Sequence, residues 1–213
     1  MVRCIDIELK LGHSFRLYIP YLWVKKKSIT HLIGENGCGK TSLMKAILDL
    51  YPRQKGLIEI NGKDNRMDES WKSFTGVYLG TAYLLGFLSP LEYFRLVTRL
   101  RRIPLYSIEN YVHQNFEGLL TPEMLQKRTC IRDLSSGNQA RVGLIAAMLG
   151  HPALLLLDEP FVYLDQSAKK ALQQLLQQFC ENGKTILFTC HDSACIEELA
   201  TTTIKLENGI MIN

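Results

Sequence analysis

The chain has 213 residues, 46% hydrophobic and 22% charged, with a formal net charge of +4. Those values suit one large globular domain with a substantial core, and the basic excess is too small to argue for nucleic acid. The six cysteines (Cys4, Cys38, Cys130, Cys180, Cys190 and Cys195) form no C-x-x-C pair, which excludes a small disulfide scaffold and favours reduced thiols in a cytosol.

No uncharged apolar run reaches about 18 residues, so no membrane span is expected. Met1-Val2-Arg3 leads straight into the alternating stretch RCIDIELKL, read as a strand with no signal peptide before it. The Lys25-Lys26-Lys27 run and the group Arg99, Arg101 and Arg102 read as solvated faces.

SITHLI (Ser28–Ile33) reads as a strand that ends in glycine, and KTSLMKAILDL (Lys40–Leu50) as a helix with Leu43, Ala46, Ile47 and Leu50 on one stripe. Between them, GENGCGKT (Gly34–Thr41) fits G-x-x-x-x-G-K-[ST] in the strand-to-helix context that the motif requires. In such a loop Asn36, Gly37, Cys38 and Gly39 turn backbone N–H groups toward phosphate oxygens. Lys40 brings a point charge to the outer phosphates, Thr41 offers a hydroxyl to Mg²⁺, and Ser42 reaches an inner phosphate. Cys38 is either a small loop residue or a thiol activated by its positive surroundings.

GVYLGT (Gly76–Thr81) reads as a strand carrying Thr81 at its end, followed by the apolar stretch TAYLLGFLSPLEYF. PLEYFRLVTRLRR, IENYVHQNFEGLL and NQARVGLIAAMLG all read as helix, with no strand pattern between them. LSSGNQARV (Leu134–Val142) sets Ser135, Ser136 and Gly137 at a helix start, a second anion site in a chain that already has one.

ALLLL (Ala153–Leu157) is a strand buried on both faces that delivers Asp158 and Glu159 to its C-terminal edge. Adjacent acids there suit Mg²⁺ binding by Asp158 and activation of a water by Glu159. AKKALQQLLQQFCEN is an amphipathic helix stopped by Gly183, and TILFTC (Thr185–Cys190) is a second buried strand with His191 just beyond it, in reach of a γ-phosphate. Cys190, His191 and Cys195 match no common zinc spacing. IKLENGIMI is a hairpin turning at Asn208-Gly209. The expected fold is α/β: a P-loop NTPase core with a mostly parallel sheet, a small antiparallel portion and an inserted α-helical subdomain. Residues 1–213 form a single domain, with the core lobe at about 1–87 and 151–213 and the helical subdomain at about 88–150.

GENGCGKTS, LSSGNQARV, LLLLDEP, YLD (Tyr163–Asp165) and TCHD (Thr189–Asp192) stand in the order and spacing of one family. On these motifs the chain resembles, over essentially its whole length, the nucleotide-binding subunit of an ATP-binding cassette (ABC) transporter. The resemblance implies a cytoplasmic ATPase, peripheral to the inner face of the cell membrane through a transmembrane permease subunit, with ATP and Mg²⁺ as cofactors and no nucleic acid partner. It implies a head-to-tail dimer in which Ser135, Ser136 and Gly137 reach the γ-phosphate of the partner's nucleotide and the loop holding Asp165 runs along the interface. Tyr83, Leu84, Leu85, Phe87 and Leu88 would face the permease.

Three departures stand out. Ser136 and Asn138 replace the glycine and glutamine of the usual LSGGQ. Thr81 stands where the family has a glutamine that contacts Mg²⁺. The adenine-stacking aromatic aligns near Leu11, with Phe15 or His13 as substitutes and Phe15 preferred. YLGT and DEPF look most similar to haem-exporter (cytochrome c biogenesis) subunits, which implies export, although Thr81 departs from their histidine. Two other readings compete: a soluble ABC ATPase without a membrane partner, and a nucleotide-gated module with weak hydrolysis.

Overall fold

A computed structural model describes residues 1–12, 15–104, 106–125, 129–190 and 199–212. Ten strands form one mixed sheet in the order β5-β4-β1-β2-β10-β9-β3-β8-β7-β6. Its antiparallel half holds β1 (Val2–Leu11), β2 (Phe15–Val24), β4 (Lys55–Ile60) and the short β5 (Lys63–Asp64). Its parallel half holds β3 (Ile29–Ile33), β6 (Thr75–Tyr78), β7 (Leu154–Leu157), β8 (Thr185–Thr189) and β9 (Thr202–Glu207). β10 (Ile210–Ile212) closes the expected hairpin with β9, and Asn208 and Gly209 both take the positive φ that such a turn demands.

Helices cover both faces of the parallel half. Leu154 and Leu156 of β7 join one core with α1 (Lys40–Ile47), while Leu155 and Leu157 join the other with α5 (Ser136–Met148) and α6 (Gln166–Glu181). That two-sided burial is why ALLLL is continuous rather than alternating. α6 buries Ala168, Leu172, Leu176 and Phe179, a single stripe at helical spacing. Between β6 and β7 the chain runs through α3 (Pro90–Leu100), α4 (Ile108–Phe116) and α5, joined by 3₁₀ turns. α3 starts cleanly because Ser89 and Glu92 form a reciprocal capping box with Pro90 in the first turn.

Three readings change. The strand GVYLGT stops at Tyr78, and Thr81 opens a 3₁₀ turn, because Gly80 at φ 99° turns the backbone away from extended geometry. β2, β4, β5 and the short helix α2 (Trp71–Phe74) are additions to the reading: β2 buries Leu17, Ile19, Leu22 and Val24 in an alternation broken at Pro20-Tyr21, β4 and β5 turn at Asn61-Gly62 with both residues at positive φ, and β2 and β4 pair on either side of β1. Arg101 is not a solvated charge. Its guanidinium donates to the carbonyls of Ala146, Ala147 and Leu149 at the end of α5. The Lys25–Lys27 run is exposed as expected, with Lys25 over the Trp23 ring at 5.5 Å.

Candidate functional site

β3, β8 and β7 are adjacent and parallel, so their C-terminal ends share one edge of the sheet. The loop Gly34–Gly39 leaves β3 and enters α1, whose N-terminus has no side-chain cap. Its first N–H groups are thereby left for an external acceptor. Gly34 is demanded by space, since a Cβ there would lie 2.2 Å from the Leu206 carbonyl oxygen, and Gly39 by its φ of 109°. Asn36 and Gly37 are exposed at the tip, whereas the Cys38 thiol is buried against the Gly34 backbone. The Lys40 ammonium folds back under the loop and donates to the carbonyls of Gly34 (2.7 Å) and Glu35 (3.0 Å). Ser42 is partly buried in the first turn of α1.

Thr41 and Asp158 meet across 117 residues of sequence: Thr41 Oγ1 donates to Asp158 Oδ2 at 2.6 Å. Asp158 is buried, its N–H donates to the Tyr78 carbonyl of β6, and its Oδ1 accepts the Thr189 hydroxyl at 2.7 Å. A hydroxyl facing a carboxylate is a hard oxygen donor set that fits Mg²⁺, which takes few protein ligands and keeps waters and phosphate oxygens for the rest. Among the described residues no cluster of three His, Cys, Asp or Glu offers a site for a softer metal. Glu159 sits at φ 50°, a costly conformation for a residue with a side chain, and its N–H donates to Thr189 Oγ1 at 2.8 Å.

Burial pushes the Tyr78 hydroxyl up to about 12, and the charges of Tyr163 and Asp158 add to that. Thr81, partly buried in its 3₁₀ turn, has no hydrogen bond to Thr41 or Asp158 among the described residues. The same connector carries Tyr83, and Lys45 of α1 lies 5.3 Å from the Tyr83 ring and 5.2 Å from that of Tyr51. His191 and Cys195 lie outside the described residues.

Ser135 caps α5 by accepting the Asn138 N–H, and Ser135 and Ser136 are both exposed. A Cβ on Gly137 would lie 2.9 Å from the Tyr163 carbonyl oxygen, so glycine is required at this place. Asn138, in the place of the usual glutamine, donates to Glu123 at 2.8 Å and accepts from Thr121. No hydrogen bond among the described residues joins this segment to the loop 34–42. Asp165 caps α6 through the Ala168 N–H and pairs with Arg141 of α5; Ser167 and that N–H hold its carboxyl below the usual range.

Phe15 packs against the loop, its ring 3.2 Å from where a Gly39 Cβ would stand. It lines a cavity of about 500 Å³ with Tyr18, Ile210, Glu8, Arg16 and Asn208. The neighbouring Gly209 N–H donates to the Cys38 carbonyl of the loop. The Leu11 side chain and His13 lie outside what is described. On the connector Tyr83, Leu85 and Phe87 are exposed, while Leu84 and Leu88 are partly buried. A groove of about 810 Å³ runs between α1, α2 and α3, walled by Leu48, Leu50, Trp71, Val77, Val97 and Leu100.

The model of the family described as ABC transporter matches residues 21–162. The ABC-type transporter ATP-binding protein EcsA of Bacillus subtilis is 30% identical over 189 residues, covering 87% of this chain and 75% of that protein. Curated relatives differ in length, and the chain spans 10% of one and 76% of another. The solved ATP-binding subunit of an ABC transporter superposes with a TM-score of 0.86 at 25% identity, covering 99% of this chain and 87% of that one. A bacterial ABC transporter cassette solved as a dimer gives 0.84 at 22% identity, over 100% of this chain and 97% of that one. With its phosphate loop, acid pair and serine-rich helix start on this fold, the chain belongs to the ABC transporter family, of which it is an ATP-binding cassette.

Proposed function

We propose that the chain is the ATP-hydrolysing motor subunit of a membrane exporter and works as a head-to-tail dimer with ATP at the interface. The observation that carries this reading is the contact of Thr41 with Asp158 at 2.6 Å, directly beyond the loop that holds Lys40. It brings the glycine-rich loop and the acid pair together from 117 residues apart in the chain, which supports reading them as one site.

In this reading Asn36 to Ser42 cradle the phosphates, and Lys40 leaves the Gly34 and Glu35 carbonyls for a phosphate oxygen. Thr41 and Asp158 hold Mg²⁺, which when bound neutralises charge on the outer phosphates. Glu159 takes the proton of the attacking water. His191 reaches the γ-phosphate, Phe15 stacks on adenine in the neighbouring cavity, and Thr81 takes the place of the connector glutamine. Ser135, Ser136 and Gly137 serve the partner's nucleotide, which the exposure of the two serines supports. Asp165 lies at the same interface, where its ties to Arg141 and α6 hold that loop in place.

Residues 88–150 act as a helical lobe on the core. A transmembrane permease subunit docks on the apolar groove beside α3 and on the exposed connector residues, which holds the motor at the cytoplasmic face of the membrane. Closure follows from binding, because ATP contacts both subunits only when they are together. Export rests on the likeness of YLGT and DEPF to haem-exporter subunits.

Steady-state turnover and size-exclusion chromatography test the proposal. Glu159→Gln is expected to lower turnover by at least about a hundredfold and to elute as a dimer only with Mg²⁺ and ATP. A wild type that turns over no faster than this variant removes the catalytic assignment and leaves a nucleotide-gated module. Recovery with a co-expressed membrane protein supports the transporter reading, and recovery only with ribosomes or DNA overturns it.

A further inference from the structure

We infer that Thr189 is the positioning residue of the acid pair, a single hydroxyl that sets Asp158 and Glu159 together. The inference rests on the reading of those two acids as the metal-holding and water-activating groups. Thr189 ends β8, the strand between the loop-bearing β3 and the acid-bearing β7. Register pairs it with Leu32 of β3, and pairs Phe188 with Leu157, so that Thr189 arrives beside Asp158.

Its side chain is fully buried, and its bonding leaves one arrangement. The Glu159 N–H can only donate, so Thr189 Oγ1 accepts there at 2.8 Å. The one hydroxyl proton then goes to Asp158 Oδ1, at 2.7 Å. This leaves Oδ2, the oxygen facing Thr41, as the one turned to the phosphate side. The same bond holds the Glu159 backbone at φ 50°, where a residue with a side chain does not stay unless it is restrained. Thr189 thus fixes which carboxylate oxygen faces the metal and where the next carboxylate starts.

The test replaces the hydroxyl and reads metal dependence, which a purely structural role would not move. A fluorescent ATP analogue (mant-ATP) is titrated into Glu159→Gln protein, with Mg²⁺ and with EDTA, carrying Thr189, Thr189→Val or Thr189→Ser. Thr189→Val is expected to lose at least about tenfold of the affinity gained from Mg²⁺, with the EDTA affinity unchanged, while Thr189→Ser stays within about threefold of the parent. With Glu159 intact, Thr189→Val lowers kcat at least about tenfold and Thr189→Ser restores it. Equal Mg²⁺ dependence in parent and Thr189→Val overturns the inference while leaving the acid assignments standing. Full turnover by Glu159→Gln overturns those assignments, and the inference with them. If the valine variant fails to fold, Thr189→Ala against Thr189→Ser decides, and equal Mg²⁺ dependence in that pair is the refuting result.

Discussion

Replacing Arg101 by methionine keeps the apolar stem and removes the guanidinium. The end of α5 then loses its capping. Ile145 and Met148 have their carbonyls taken by the N–H groups of Leu149 and His151, but those of Ala146, Ala147 and Leu149 depend on Arg101. All three accept from the same nitrogen, Nη1, at 3.1–3.4 Å. One nitrogen has two protons, so the set amounts to about two charge-assisted bonds of long geometry, to which the charge adds a favourable interaction with the helix C-terminus. Against this stands the desolvation of the cation, since burial holds the Arg101 pKa below its ordinary value. The balance is a loss of about 2–3 kcal/mol on Arg101→Met, read as a fall of roughly 4–12 °C in the thermal midpoint by circular dichroism. Arg101→Lys should recover part of it, because an ammonium reaches fewer carbonyls from the same stem. A methionine variant that melts within 1 °C or so of the wild type would refute the accounting of α5 carbonyls.

The alkaline limb of stability should depend on Tyr78. Its folded pKa is raised to about 12, so its contribution is complete below the unfolded pKa near 10 and is lost as pH rises toward 12. Urea melts from pH 9 to 12 should therefore show a shallower decline for Tyr78→Phe than for wild type, and parallel curves would contradict the buried neutral phenol. Asp165→Ala removes the cap of α6 and should lower stability by about 1 kcal/mol in denaturant titration, with Asp165→Asn losing less. A destabilisation no greater than that of an exposed mid-helix substitution would show that the cap bond contributes nothing.

Legibility in the sequence followed locality. The phosphate loop, the acid pair and the serine-rich helix start are each built from consecutive residues whose chemistry depends on a strand-to-helix turn, a strand end or a helix N-terminus. Short continuous apolar runs located β3, β7 and β8, which are buried on both faces, and helical periodicity located the long helices, of which α6 buries one stripe. β2, β4 and β5 went unread although each carries a local signal: the alternation of Leu17, Ile19, Leu22 and Val24 in β2 is broken at Pro20-Tyr21, and the Asn61-Gly62 turn joins β4 to a strand of only two residues. The end of β6 was misplaced by three residues because an apolar run does not record where a glycine at positive φ turns it aside.

What the sequence determined by itself is the set of candidate groups for the site and most of the strands and helices that carry them. Only the tertiary structure decided that Thr41 and Asp158 touch, that Thr189 holds both acids, that Arg101 closes α5 instead of facing water, and that Phe15 lies beside the loop. The physical reason is common to all four. Each contact joins residues far apart in the chain, and strand order, register and the close approach of backbone at glycine bring them together, none of which is encoded in any short window of residues.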